Sequence, residues 1–339
     1  MDMETLWFVL WGLLWAIYFI LDGFDLGLGI LRPFIARSEE DLHVIHHATG
    51  PFWDGNEVWL ITAGGVTFAA FPKVYAVMFS ALYAPLLLLL FALIFRAVSM
   101  EFRDKVDSPC WRKVWDIGLF AGSFVPALLL GVAFANLFIG IPIDNNGVYH
   151  GNLLKLLNPY GLAGGIVFVV LFMQHGALWL AIRADGELRE RAVSAASSLW
   201  MLSLAGLLVF LWLTSLYTSL YDNYMTHPQL LIFPILAVTA LLIQRPLLAS
   251  GVYAGSWACS ALLIFCVTFF GLAGMYPGML ISSLNPAWTI TAFNGASSPL
   301  TLSIMLGVAL CALPFVFIYQ IWVYKTFADT PPHDGGAGY

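Results

Sequence analysis

The sequence predicts an all-α integral membrane protein: nine helices crossing one bilayer, with the N-terminus outside and the C-terminus inside. Three observations predict it. Of 339 residues, 60% are hydrophobic and only 10% are Asp, Glu, Lys or Arg, against roughly 25% charge in a soluble domain. Long apolar stretches recur along the whole chain, and lipid is the solvent that hides such a surface. The basic residues also segregate to alternate connections, as the positive-inside rule requires.

A spanning helix needs about 20 mainly apolar residues. Stretches of that kind fall at 6–30, 51–71, 75–97, 115–139, 159–182, 199–220, 229–245, 254–276 and 302–326. The seventh is short and bracketed by Pro228 and Pro246, so it reads as the weakest of the nine. Asp2 and Glu4 follow Met1 where a leader would carry basic residues, and the first stretch runs on into Asp22 and Asp25. It reads as a span and not as a cleavable signal.

The connection at 221–228, near Tyr217, Tyr221 and Tyr224, and the one at 277–301, rich in Pro, Asn, Gly and Ser, carry no Lys or Arg. Ser297-Ser298-Pro299-Leu300-Thr301 reads as a helix start. Leu157-Asn158-Pro159 and Leu284-Asn285-Pro286 are similar phrases, too short to establish a duplication. Residues 328–339 are a polar tail with little reason to fold.

With the N-terminus outside, the inner side receives Arg32, Arg37, Arg96, Arg103, Lys105, Arg112, Lys113, Arg183, Arg189, Arg191, Arg245 and Lys325, and the outer side only Lys73 and Lys155. Losing one helix would put the later basic residues on the wrong side, so the split also supports the count. The basic residues are too dispersed for a nucleic-acid surface. Cys110, Cys259, Cys266 and Cys311 form no CxxC pair and no zinc spacing, and read as buried or incidental thiols.

An ionisable group inside a membrane span is a functional hypothesis by default. Asp22 and Asp25 in the first span, and Asp54 and Glu57 in the second, are each spaced i,i+3 and share a helix face. Asp25 lies about 8 Å from the inner end of its span and Asp54 about 5 Å. Asp116 stands at the inner mouth of the fourth span. Acids at one depth in adjacent helices can hold and pass protons. A structural reading stands beside this: Asp25 caps a helix break made by Gly23, Gly27 and Gly29, Asp54 bonds to Trp59 or Asn56, and Asp116 is a helix N-terminal acid. A metal site from Asp and Glu alone lacks an E-x-x-H pair.

His175, beside Gln174, is more simply a hydrogen-bond partner across the bundle than a haem ligand. His43, His46 and His47 read as polar loop residues with a poor metal spacing. Gly23, Gly27 and Gly29, with Gly64 and Gly65, thin their helices for close contact or a local break. Trp53 and Trp59 flank the acids of the second span, where a quinone headgroup could pack, or where they simply anchor the interface.

Several stretches resemble a known family. They are Asp22-Gly23-Phe24-Asp25-Leu26-Gly27-Leu28-Gly29, the block Trp53-Asp54-Gly55-Asn56-Glu57-Val58-Trp59-Leu60-Ile61-Thr62-Ala63-Gly64-Gly65, and Phe68-Ala69-Ala70-Phe71-Pro72 with Tyr75. To these add Arg112 through Trp115-Asp116, then Gly122-Ser123-Phe124-Val125-Pro126, Gly131-Val132-Ala133-Phe134, and Leu156 through Leu162. The likeness is dense over 1–190 and looser to 326. The chain resembles subunit II of the cytochrome bd-type quinol oxidases of bacteria and archaea.

The resemblance implies nine helices in the prokaryotic cytoplasmic membrane, arranged as two four-helix bundles and one peripheral helix. On this chain that gives bundles at 1–139 and 140–276, an outer loop with the ninth helix at 277–327, and the tail at 328–339. It implies pairing with a subunit I that carries haems b and d and the quinol-oxidising loop, with one or more small single-helix subunits, phospholipids and, in some members, a structural quinone. It implies no haem in this chain. The complex would oxidise quinol and reduce dioxygen to water with protons taken from the cytoplasm.

Carried onto this chain, Asp25 and Asp54 fall on family acids of a water-filled proton route. Asp22 and Trp53 belong to the same phrases, and Asp116 matches the acid of a Trp-Asp phrase. Glu57 stands where other members can carry Gln, and 221–228 is short beside the long outer loop of some relatives. Two rivals stay open. A purely structural scaffold would use the acids only for assembly. A cation-coupled secondary transporter would use them as ion sites.

Overall fold

The computed structural model of the protein describes residues 2–327, so the polar tail expected at 328–339 lies outside the described residues. Helix α1 (Met3–Ile35) is 33 residues long, or about 50 Å, against an apolar bilayer core of about 30 Å. It runs unbroken through Gly23, Gly27 and Gly29, so the local break considered for these glycines does not form. Helix α2 (Glu39–Thr49) begins with a capping box: Ser38 Oγ accepts from Asp41 N at 3.1 Å and Asp41 Oδ2 accepts from Ser38 N at 3.2 Å.

Helix α3 (Trp53–Ala70) stops at Phe71, which Pro72 keeps out of the helical region. The single span expected over 75–97 is two helices, α4 (Pro72–Ala81) and α5 (Tyr83–Phe102). Pro85 explains the break at Leu82: it lacks an N–H, and its ring opposes the carbonyl of Ala81. Helix α6 (Pro109–Ile139) starts earlier than the expected 115, which places Asp116 two turns inside the helix and not at its N-terminus.

A turn of helix, α7 (Leu153–Leu156), leads to α8 (Pro159–Arg183). Helix α9 (Gly186–Tyr217) also starts well before the expected 199. Its polar first turns are laced by Arg189–Asp185 at 2.7 Å and Arg191–Glu187 at 3.5 Å, both i,i+4. A short α10 (Leu220–Thr226) precedes α11 (Ile232–Ala249), which continues through Pro246. Then come α12 (Tyr253–Met275), a hairpin of β1 (Gly278–Leu280) with β2 (Ile290–Thr291), and α13 (Pro299–Thr326).

The similar Asn-Pro phrases have different uses. Asn158 caps α8 through Gly161 N at 2.8 Å, whereas Asn285 caps a single turn through Ala287 N at 3.0 Å. Ser298 caps α13 through Thr301 N at 3.2 Å, as the Ser-Ser-Pro phrase predicts.

Among the described residues, eight helices are long and apolar enough to cross a membrane: α1, α5, α6, α8, α9, α11, α12 and α13, where α5 and α11 are each extended by a 3₁₀ turn. The seventh expected span, which looked weakest in sequence, qualifies as Pro228–Ala249. The second does not: α3 is continuous, but Asp54, Asn56 and Glu57 in its first turns keep it from being apolar enough over its 18 residues.

Helices α1 and α8 form the centre and cross backbone to backbone. A Cβ on Gly27 would lie 1.8 Å from the Phe172 carbonyl oxygen, and one on Gly176 2.7 Å from Leu28 N. Small residues give this approach in lipid, where packing replaces the hydrophobic drive. Gly64 and Gly65 are different: a Cβ there would meet at most Phe79 at 3.9 Å, so they make no close crossing. Helix α13 stands at the edge, with 6% of its most apolar window buried. It is held by Trp7 Nε1 donating to Leu302 O at 3.0 Å and Trp59 Nε1 donating to Gln320 Oε1 at 3.1 Å.

Candidate functional site

Three of the four acids of the first two spans, Asp22, Asp25 and Glu57, meet around a residue counted in sequence only among the inner-side basic charges. Arg96, in the last third of α5, is 1% exposed. Its Nη1 donates to Asp22 Oδ1 at 3.0 Å and to Glu57 Oε1 at 2.7 Å, and its Nη2 lies 4.0 Å from Asp25 Oδ2. Asp22 and Asp25 are 0% and 2% exposed. Asn56 locks the arrangement: its Nδ2 donates to Asp25 Oδ2 at 2.7 Å and to Leu21 O at 3.1 Å. Its Oδ1 accepts from Tyr324 of α13 at 3.0 Å. Helices α1, α3, α5 and α13 therefore all contribute.

Three carboxylates share one guanidinium, and desolvation makes an excess of like charge costly. Such a group can take up and release a proton without leaving the protein interior. Asp25 Oδ1 and Arg96 Nη2 are buried and have no hydrogen-bond partner among the described residues. Glu57 is the outlying member, with a side chain 21% exposed.

Asp116 belongs to a second cluster, at the end of the bundle where α1 and α5 finish and α6 begins. Arg32 Nη2 reaches Asp116 Oδ1 at 2.9 Å, and Arg103 Nε donates to the same oxygen at 2.7 Å. Arg103 also pairs with Asp104 at 2.7 Å and Glu39 at 3.1 Å.

Asp54 does not join the buried group. It is exposed on α3, one turn before Glu57, and the bonds to Trp59 or Asn56 considered for it do not form: those side chains engage Gln320, Asp25 and Tyr324 instead. Trp53 is half-buried beside it.

His175 is fully buried between α1, α8 and α12. Its Nε2 meets the Ile20 carbonyl at 3.1 Å and its Nδ1 meets Ser260 Oγ at 3.0 Å. A carbonyl only accepts, so Nε2 carries the proton and Nδ1 accepts from the serine hydroxyl. Both ring nitrogens are thus engaged within the bundle. Among the described residues, no group of three or more His, Cys, Asp or Glu could hold a metal ion.

With this geometry in place, similarity to known proteins is decisive. Residues 3–327 match the family described as Cytochrome bd terminal oxidase subunit II. The chain belongs to that family. It is 37% identical to the Cytochrome bd-I ubiquinol oxidase subunit 2 of Escherichia coli, over 98% of this chain and 97% of that one. It is 35% identical to the Cytochrome bd ubiquinol oxidase subunit 2 of Bacillus subtilis over 98% of both. It is 37% identical to the Probable cytochrome oxidase subunit 2 of Haemophilus influenzae, over 96% and 94%. The fold is shared with a chain in the structure of bd oxidase from Geobacillus thermodenitrificans, at a TM-score of 0.76 and 17% identity over 97% of this chain and all of that one.

Two features of this subunit II are absent from the sequence reading. Arg96 was the missing centre. Its signal was available: a lone arginine inside the apolar run 83–102 is itself an intramembrane charge. The other is an apolar groove of about 640 Å³, walled by α1, α3, α4, α5 and α6 with Trp11, Trp15, Phe68, Tyr75, Phe79 and Phe134 on its surface. Gly64 and Gly65 line it, which accounts for their open surroundings. Trp53 does not line it. Trp15 is among its lining residues, and the buried indole N–H of Trp15 has no hydrogen-bond partner among the described residues.

Proposed function

We propose that this chain is the haem-free subunit II of a membrane quinol oxidase. The complex couples quinol oxidation to reduction of dioxygen to water, and this chain both supports the haem-bearing subunit I and supplies it with protons. The observation that carries the reading is the sharing of one buried guanidinium by Asp22, Asp25 and Glu57. Dioxygen reduction consumes protons, and a proton cannot cross apolar packing unaided. A cluster able to hold one, with Glu57 opening toward the surface where Asp54 stands, is a relay in form. Asp54 then acts at the exposed face of α3, where a partner subunit can dock, and Asp116 acts in the fold of the aqueous end.

The same reading makes α3 the ninth membrane crossing, shielded by its neighbours because Asp54, Asn56 and Glu57 would be costly against lipid. The chain is then N-out and C-in. Arg96 drops out of the charge count, yet the bias survives, since Lys73 and Lys155 remain the basic residues of the opposite end. The two four-helix bundles are α1, α3, α4–α5 and α6, then α8, α9, α11 and α12, with α13 peripheral.

A structural quinone would fit the apolar groove: its walls suit an isoprenoid tail, and the free N–H of Trp15 suits a carbonyl oxygen. When bound, such a group adds a rigid apolar filler between α1, α3 and α5. Trp15, in place of Trp53, is the residue to hold it.

The test is co-purification through a tag on this chain, followed by quinol-dependent oxygen uptake and proton uptake in liposomes. The reading expects a haem-bearing partner, oxygen consumption, and proton uptake from the side of Arg32 and Arg103. Substrate flux by this chain alone would favour a transporter instead.

A further inference from the structure

Between the buried cluster and the basic end of the bundle lies a cavity of about 20 Å³, lined by Asp25, Arg96, Arg32, His46, Thr49 and Met100 among others. That is the size of a single water, which needs roughly 10–15 Å³ and two to four polar partners. The partners are present. Asp25 and Arg96 line the cavity, and Asp25 Oδ1 and Arg96 Nη2 are buried and make no hydrogen bond among the described residues. The opposite wall is α2, which presents His46 and Thr49.

The other groups on the lining are committed elsewhere. Arg32 is held by Asp116 at 2.9 Å. Thr49 Oγ1 lies 3.4 Å and 3.3 Å from the carbonyls of Ile45 and His46, to which it donates. His46 is half-buried, and among the described residues its ring makes no hydrogen bond. It is therefore the one titratable side chain that touches both this cavity and the aqueous side.

We propose that the cavity is a bound-water site and that His46 is the residue through which Asp25 exchanges protons with the aqueous phase. The inference rests on the proton-supply reading above and adds its entrance. The step is a simple relay. The protonated imidazole gives a proton to the water, the water gives one of its own to the Asp25 carboxylate, and the neutral imidazole takes a replacement from bulk solvent. Nothing is oxidised or reduced.

The surroundings of His46 fit that duty. Burial, then the positive charge of Arg32 and then His47, hold its imidazole below the ordinary histidine range, with Asp104 opposing and His43 adding to the shift. A histidine so placed is a readier donor once protonated. On the other side of the water, Asp25 faces Arg96, Asp22 and Glu57.

The experiment uses the intact oxidase complex in liposomes, comparing His46→Ala, His46→Gln and Asp25→Asn at saturating quinol across a pH series, with and without added imidazole. The expected result is a fall in kcat of about tenfold or more for Asp25→Asn and a smaller fall for both His46 variants, with KM for quinol unchanged. The His46 loss grows as pH rises and is partly restored by imidazole, which a merely structural role would not produce. If His46→Ala fails to assemble, His46→Gln preserves the side-chain bulk and carries the test. Wild-type kcat and pH profile in the His46 variants, with Asp25→Asn slowed, overturns the entrance alone. Wild-type turnover in Asp25→Asn overturns the entrance and the proton-supply reading together.

Discussion

Two acid–arginine clusters lie about two helical turns apart in this protein, and they differ in stoichiometry and surroundings. At Arg96 one guanidinium serves Asp22, Asp25 and Glu57, and the two aspartates are sealed from solvent. At the aqueous end Asp116 receives two guanidinia, Arg32 and Arg103, and its side chain is 37% exposed. Water can solvate any imbalance in the second cluster. In the first, imbalance must be met by a proton or by the protein. The same residue types therefore make a sealed, acid-rich cluster in one place, the one proposed above to handle protons, and a hydrated helix fastening in the other. What separates them is burial and the ratio of acids to cations.

Removing the arginines should separate the clusters most sharply. Arg96→Gln strands three carboxylates in the interior and is expected to cost about 3–5 kcal/mol, seen as loss of assembled complex or a large drop in its thermal midpoint. Arg103→Gln is expected to cost about 1 kcal/mol, because its partners are hydrated and Arg32 still holds Asp116. Equal effects would break the comparison.

Turnover should divide the acids in the same way. Asp25→Asn keeps the shape of the side chain and its contact with Asn56, and is expected to slow oxygen reduction about tenfold or more with normal haem content. Asp116→Asn should retain most of the wild-type rate. Matched losses in oxygen-electrode assays of the two variants would show that depth does not set the role.

The scaffold around the cluster should have an intermediate cost. Asn56→Ala removes the donor to Asp25 and Leu21 O and the acceptor for Tyr324, with an expected loss of about 1–3 kcal/mol. Thermal unfolding of the complex checks this, and an unchanged midpoint would mean that α13 is held by Trp7 and Trp59 alone. The smallest effect concerns salt. The stability difference between wild type and Asp116→Asn should shrink on going from about 0.1 M to 1 M salt as the Debye length falls from roughly 10 to 3 Å, while that of Arg96→Gln should not.

Much of the fold was legible because apolar length is a one-dimensional signal. The expected spans all contain helix, and the Ser298 cap of α13 follows from its local phrase. The helix starts at Pro109 and Gly186 were missed because polar turns outside lipid carry no hydropathy signal; i,i+4 ion pairs and a proline at the first position sustain them instead. The break at Leu82 was legible in Pro85 but was hidden by the apolar run around it.

For the site, i,i+3 spacing rightly put Asp22 with Asp25. It could not say that Glu57 turns inward while Asp54 turns out, because that depends on the rotation of α3 about its axis. It could not show that Arg96, distant in sequence, closes the cluster. That is a tertiary fact, set by how α5 packs on α6 and where its arginine meets α1. The Gly27–Gly176 crossing was likewise half visible, since small residues mark a close contact but not its partner.

Time-resolved proton uptake by the intact complex in liposomes, triggered by a pulse of oxygen to the quinol-reduced enzyme, tests the central claim most directly. Wild type and Asp25→Asn are compared with a pH-sensitive dye on the side of Arg32 and Arg103. The account predicts that proton disappearance is delayed about tenfold or more in the variant while assembly and haem content are unchanged. Uptake at the wild-type rate, on the same side, would contradict it.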